Sequence, residues 1–481
     1  MLNRNHLIQL IKAFSLVIVA WLQGNATAFA QLGETHYMDN WHLGEGVQLQ
    51  FDGIQIPTVI NGPDSNTIGN LQSISDPFTG DLLFTISYYG FYDKNGDLMP
   101  NGGNVFEAPV VIIPHPGDLD LYYAIHTGSA GQLVYSIVDL SLNGGKGDVL
   151  PASKLVPFGP LQTALYEEVI SDPSGLRHWL LTHNTGSDEF LLFEIEANDG
   201  LDTIPEVIAI GPVATTPFSV RRMDVTVSSD RLAMAMDNSQ DIWLFDVDPF
   251  TGIITDPVVL DLDHFINALS FSASGNILYV GNRNDMAPII FQYDLTAGDP
   301  VDILATQYAF PPSMNMPTGV SNLQLGPDGR LWVEPYAIND WALQHLTRIE
   351  NPEVLGPNAG LDTNGLDLGQ EFLTSPRIPL VYWPYAPTVG IGEVPGSAPA
   401  LSLEVYPSPV QRSCTFSASR SVPGASLRLV DGMGRTIRDL PFAAWERQIT
   451  VDVSDLPGGL YHATIVSAEG LSLAAVKWVK Q

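Results

Sequence analysis

The sequence predicts an all-β fold in two parts, a ring of repeated small sheets and a short β-sandwich behind it. Three observations carry this. Hydrophobic residues make up 45% of the 481-residue chain, so it can bury a core despite a formal charge of -32. A polar turn followed by a short aromatic or β-branched strand recurs through the first four-fifths. Close to residue 403 the charge character changes: residues 31–402 net -35, while 403–481 net +1.

The recurring unit is visible six times. Turns at 75–80, 114–118, 171–175, 228–230, 272–276 and 326–329 precede strands at 82–86, 121–125, 178–182, 232–236, 277–280 and 331–333. Most have a second strand about ten residues on, at 133–139, 190–195, 242–247, 289–295 and 343–349. Spacings of roughly 40 to 60 residues suit four-stranded propeller blades. The 372 residues of 31–402 then divide into seven blades of about 53 residues. The seventh is expected to be assembled from both ends, 41–51 pairing with 372–383, because a ring without open edges is the stable one. The predicted fold is therefore a β-propeller of seven blades over 31–386, a linker at 387–402 and an immunoglobulin-like sandwich at 403–481. The competing architecture is a stacked pair of β-sandwiches.

Residues 1–30 read as a secretory signal. Arg4 and Lys12 precede an apolar run at 13–22, and Ala28-Phe29-Ala30 forms a small-x-small cleavage site before Gln31. The run is about ten residues, against about 20 for a membrane span. No later segment is long and apolar enough to span, so the mature chain is expected to lack a transmembrane segment. Gly390, Gly392 and Gly396 with Pro387, Pro395 and Pro399 give the linker its composition.

In the tail, alternating segments at 402–405, 425–429, 448–453, 460–465 and 474–479 read as strands separated by Gly, Pro and Asp turns. Three motifs stand among them: Val405-Tyr406-Pro407-Ser408-Pro409, then 429–435 with Asp431, Gly434 and Arg435, then Leu456-Pro457-Gly458-Gly459-Leu460-Tyr461 before a basic end with Lys477 and Lys480. In that order they resemble the type A C-terminal sorting domain of the Bacteroidota type IX secretion system. The likeness covers about 80 residues. Ser408 departs from it, since the family usually has Asn between the two prolines. The resemblance implies an address that is recognised after the inner membrane, directs passage through the outer one and is commonly removed. It assigns the sorting role to Tyr406, Pro407, Pro409, Asp431, Gly434, Arg435, Leu456, Pro457, Gly459, Tyr461, Lys477 and Lys480, and makes the type IX machinery a partner. The alternative is an ordinary immunoglobulin-like module. Lys477 and Lys480 also suit an edge strand, where charge discourages unwanted pairing.

The body resembles WD-repeat or lactonase-type propellers on Asn40-Trp41-His42-Leu43-Gly44 and on 76–84, 93–102, 138–149, 179–184 and 271–280.

Chemistry is sparse. No Gly-x-Ser-x-Gly elbow, His-Glu-x-x-His helix or phosphate loop is present. The ten histidines are scattered, and His178 and His183, five apart on one strand, fall on opposite faces. Asp93, Asn95 and Asp97 approach a calcium loop but lack its distal Glu, so a hairpin turn is expected; Asp246, Asp248 and Asp256 are read in the same way. Tyr88, Tyr89, Phe91 and Tyr92, and likewise Tyr382, Trp383 and Tyr385, are expected to fill wedges between blades. Cys414 has no intramolecular partner and is expected buried. With a pI near 4.3 the surface repels phosphate backbones, which argues against nucleic acid. The expectation is an exported, non-catalytic binding propeller with no cofactor, no metal and an unidentified extracellular ligand, protein or glycan. The competing class is a lactonase-like hydrolase holding a metal in its central channel.

Overall fold

The computed structural model describes residues 36–372 of the body except 54, 63–71, 88, 104–109, 129–130, 165, 237–239, 283–288, 312–318 and 336–342. In the tail it describes 403–480 except 407–409, 411, 419–424, 432–435, 442–447, 455, 458 and 467–471. The chain divides into two compact units, Met1–Pro395 and Gly396–Gln481. The expected signal segment, with Ala28, Ala30 and Gln31, and the expected linker lie outside the described residues.

Among the described residues seven antiparallel sheets follow one another along the body. The second is typical: Gln72–Ser75, Leu82–Ser87, Gly90–Asp93 and Leu98–Gly103 pair in chain order. The fifth (Val220–Val225, Arg231–Met236, Asp241–Val247, Ile254–Asp261) and the seventh (Val320–Leu325, Leu331–Pro335, Leu343–Ile349, Leu361–Phe372) repeat that order. So does the sixth, which opens with Ala268–Phe271. In the third and fourth sheets the outermost position is shared by two short strands. Asp148–Val149 and Val156–Leu161 both pair with Gln132–Asp139, and Gly200–Leu201 and Glu206–Ala209 both pair with Glu189–Glu196. This is the blade order of a β-propeller, and its seven sheets match the expected count.

The repeat legible in the sequence is the turn joining first and second strands. The Asp76 carboxylate accepts from the backbone N–H groups of Phe78 and Thr79 at 2.8 and 2.9 Å, and Gly80 closes the turn at φ +74°. Asp172 accepts from Ser174 N at 2.7 Å and Asp328 from Arg330 N at 3.2 Å in the equivalent turns. Each sheet is covered on both faces by its neighbours, so alternate residues of a strand enter two different seams. Several seams are aromatic: Phe84 meets Tyr122 at 5.5 Å, Phe158 meets Phe193 at 5.0 Å and Phe190 meets Phe245 at 5.3 Å, all edge to face. Each such pair adds about 0.5–1.5 kcal/mol beyond the area it buries.

Among the described residues the first sheet has three strands, Asn40–Gly44, Val47–Gln50 and Thr58–Asn61. The first strands of the fifth and sixth sheets run side by side in one direction, as the contacts Arg221 to Asn267 and Asp224 to Phe271 require. Asn40–Gly44 runs against Gln72–Ser75 instead, since Ser75 N bonds Tyr37 O and Ser73 Oγ bonds Asn40 O. It therefore takes a second strand's place. The ring closes by packing of the first sheet on the seventh: Phe51 lies edge-on to Trp332 at 6.3 Å, and Gln370 Nε2 donates to Glu45 O at 2.9 Å. Phe372, expected in the closing pair, ends the outer strand of the seventh sheet opposite Leu343. The remainder of that segment, 373–383, lies outside the described residues.

The tail is a sandwich of two sheets. One orders Leu403–Tyr406, Ser413–Ala418 and Gln448–Asp452, and the other Thr436–Pro441, Ser426–Asp431, Gly459–Val466 and Ser472–Lys480. Ser413–Ala418 and Thr436–Pro441 were not anticipated. Cys414 is buried in the sandwich core, and burial raises its thiol to about 11, so it serves as a small apolar residue.

Candidate functional site

Three places carry chemistry. The first lies near the axis, where the inner strands of the fourth, fifth and sixth sheets come together. Alternation along Val220–Val225 sends Met223 and Val225 into the apolar core of the seam with the fourth sheet, while Arg222 and Asp224 point to the other side, where Asp224 accepts from Phe271 N of the sixth sheet at 2.7 Å. Glu167 and Glu168 sit at the start of the fourth sheet's first strand. All four are buried. Burial raises the Glu168 carboxyl well above its usual range, Asp224 adds to this, and Arg222 opposes it. Burial likewise lifts Asp224 to about 7, against a hydrogen bond from Phe271 N and the charge of Arg222. Glu167 rises to about 8 through burial, although Thr127 donates to it at 2.7 Å. The space beside Asp224, Ser270 and Gln324 is about 10 Å³, the scale of one water.

The second place is the seam between the first two sheets. Asn40, His42, Gln48, Gln50 and Ile60 share one face of the first sheet by register, while Trp41, Leu43, Val47 and Leu49 share the other. Asn40 Nδ2 donates to Ser75 Oγ at 2.9 Å and to Gly80 O at 2.6 Å, and Gln48 Nε2 donates to Asn40 Oδ1 at 2.5 Å. The seam opens into a cavity of about 370 Å³ reaching Asp81 and Lys94 of the second sheet.

The third place is the sorting tail. Tyr461 donates its hydroxyl to Pro457 O at 2.8 Å and stacks on Trp478 at 4.9 Å, while Leu456 is buried in the same core. The Leu456-Pro457…Tyr461 motif is thus a turn pinned to the sandwich. Gly459 opens the strand that follows it, and Tyr406 is half exposed at the end of the first tail strand. Asp431 and Lys477 lie within the strands Ser426–Asp431 and Ser472–Lys480. Ser472–Lys480 is an edge strand of its sheet, yet Lys480 is buried and bridges to Val410. Pro407, Pro409, Gly434 and Arg435 lie outside the described residues.

Asp93 turns out to organise a hairpin: its carboxylate accepts from Asn95 N at 2.9 Å and Asp97 N at 3.1 Å, and Lys146 Nζ lies 3.3 Å from both Asp93 and Asp97. A lysine supplies the positive charge there. Asp248 forms a similar turn with Phe250 N at 2.9 Å, while Asp246 and Asp256 line a shallow cavity of about 180 Å³. His178 bonds Ser171 Oγ at 3.2 Å, and His183 bonds Asn184 O at 3.0 Å and packs on Phe190. Burial lowers both imidazoles, His178 to about 3. Phe91 is buried, Tyr92 half-buried and Tyr89 exposed; Tyr88, Tyr382, Trp383 and Tyr385 lie outside the described residues. Among the described residues no helix is long and apolar enough to cross a membrane.

The axial carboxylates were not anticipated, although charges spaced two apart in an otherwise apolar strand were a signal. The amide face of the first sheet was equally available in Asn40-Trp41-His42-Leu43-Gly44, which alternates polar and apolar.

Residues 404–480 match the family described as the secretion system C-terminal sorting domain. No curated protein matches the chain. Among solved structures, the β-propeller domain of Cps50 (Swd1) from Myceliophteria thermophila is 16% identical, covering 64% of this chain and 98% of that one with a TM-score of 0.39. A candidate 6-phosphogluconolactonase from Bacteroides fragilis is 13% identical, covering 71% and 94% with a TM-score of 0.41. PorZ, a surface component of the type IX secretion system of Porphyromonas gingivalis, is 12% identical, covering 92% and 74% with a TM-score of 0.28. At such scores the sheet order itself remains the basis for the fold. The tail at 404–480 is thus a type IX secretion C-terminal sorting domain folded as a two-sheet sandwich, which marks the chain for export to the cell surface or beyond, and the body before it is a β-propeller.

Proposed function

We propose that the propeller is a non-catalytic binding module that the sorting tail delivers to the cell surface or the medium. The observation that carries this reading is the pairing of a sorting domain at 404–480 with a body of seven sheets. The seams of such a ring offer concave sites while the ring stays rigid. Residues 1–30 supply the first export signal, cleaved after Ala30, and the tail the second. The ligand is an extracellular protein or glycan.

A propeller hydrolase with a metal in its channel draws support from Glu168 and Asp224. Their surroundings fit a hard cation poorly, because Arg222 acts electrostatically on both and already supplies countercharge there.

The test is mass spectrometry of culture medium, outer membrane and periplasm from the native host, with and without residues 403–481. Deletion is expected to trap the chain in the periplasm, while the full-length form appears outside without its tail. Unchanged export with the tail retained would overturn the delivery half of the reading. Turnover of lactone substrates by the metal-loaded full chain would overturn the non-catalytic half.

A further inference from the structure

The seam between the first two sheets is chemically unlike the aromatic seams. A residue face enclosed by a neighbouring blade is ordinarily apolar, because burying an amide without a partner is costly. Here Asn40, His42 and Gln48 are all buried on one face, and the two amides are held by each other, by Ser75 Oγ and by the Gly80 carbonyl. Such bonds fix rotamers before any ligand arrives, which lowers the entropic cost of binding.

The seam is also open. Its cavity of about 370 Å³ lies within the range of small-molecule sites. Beyond the buried pair, the exposed amides of Gln50, Asn61 and Asn95 border it, and Ile60 and Leu82 give it an apolar strip. Asp81 and Lys94 are the charged residues of the lining and cancel, in a chain whose net charge is -32. A lining of amides presents donors and acceptors in pairs, as adjacent sugar hydroxyls do, and the apolar strip suits the C–H face of a pyranose. Neutral walls favour a ligand without charge.

We propose that this seam binds a neutral saccharide of about two sugar units. The proposal rests on the binding-module reading and names its ligand class. The experiment titrates the full chain by calorimetry with cellobiose, maltose, lactose and N,N′-diacetylchitobiose. It repeats the titration on the double variant Gln50→Ala/Asn61→Ala, whose exposed positions leave the fold intact by circular dichroism. Saturable binding of at least one disaccharide, weakened about tenfold or more in the double variant, is the expected result; two lost hydrogen bonds of about 1 kcal/mol each account for that factor. Absence of binding by all four sugars would overturn the saccharide assignment, and it would leave the export measurement untouched. Equal binding by both forms would overturn the placement of the site.

Discussion

Two seams of the same ring solve the same burial problem in opposite ways. Between the fourth and fifth sheets, Phe190 and Phe245 meet edge to face and His183 packs on Phe190 at 4.8 Å, a contact held by shape. Between the first and second sheets, Asn40 and Gln48 are held by directional hydrogen bonds. The aromatic seam is closed by area removed from water, and the amide seam leaves polar groups beside an opening. The difference teaches that a propeller seam can be specialised without altering the strand order of its blades.

The largest expected effect falls on the aromatic side. Phe190→Ala removes a fully buried ring and leaves Phe245 facing a cavity, with a loss of about 3–5 kcal/mol in urea unfolding. A loss below about 1 kcal/mol would show that the seam collapses around the gap and that aromatic closure is dispensable.

A smaller effect separates satisfied from strained polar burial. Glu167 is fully buried, and burial raises its carboxyl from 4.5 to about 8. Below pH 4.5 the carboxyl is protonated in both states and costs nothing. As pH rises from 4.5 through 8 the unfolded chain releases its proton first, so the folded state binds more protons and stability falls. Glu167→Gln removes that slope, raising the melting temperature at pH 8 and changing it little at pH 4.5. Equal shifts at both pH values would mean that the gain comes from packing and not from the proton.

The sequence showed the second and third strands of most blades because the turn that introduces them is built from Asp, Ser, Pro and Gly. First strands such as Gln72–Ser75 and Glu168–Ser171 escaped notice, since they are four residues long and buried throughout, with no alternation to read. Outer strands were lost where one blade position is shared by two short pieces, as at Asp148–Val149 and Val156–Leu161. The sorting domain was legible because each of its three short motifs is contiguous in sequence and they follow one another in order along 404–480. The axial cluster was not, because Glu168 joins Arg222 and Asp224 only once two blades stand side by side.

The smallest effect tests the amide seam itself. Asn40→Ala deletes the donor to Ser75 Oγ and Gly80 O and the acceptor for Gln48 Nε2, so several buried groups lose a partner together. The expected cost is about 1–3 kcal/mol, the penalty of buried polar groups left unpaired, partly relieved where water enters from the adjoining cavity. Asn40→Asp separates packing from bonding. It keeps the volume and the acceptor for Gln48 but turns the donor aimed at the Gly80 carbonyl into a second acceptor. If the network holds the seam, Asn40→Asp loses as much stability as Asn40→Ala near neutral pH and recovers part of it in acid, where the carboxyl regains a proton to donate. If both variants matched the parent protein at every pH, the amides would contribute nothing to closure, and hydrophobic packing would hold both seams alike.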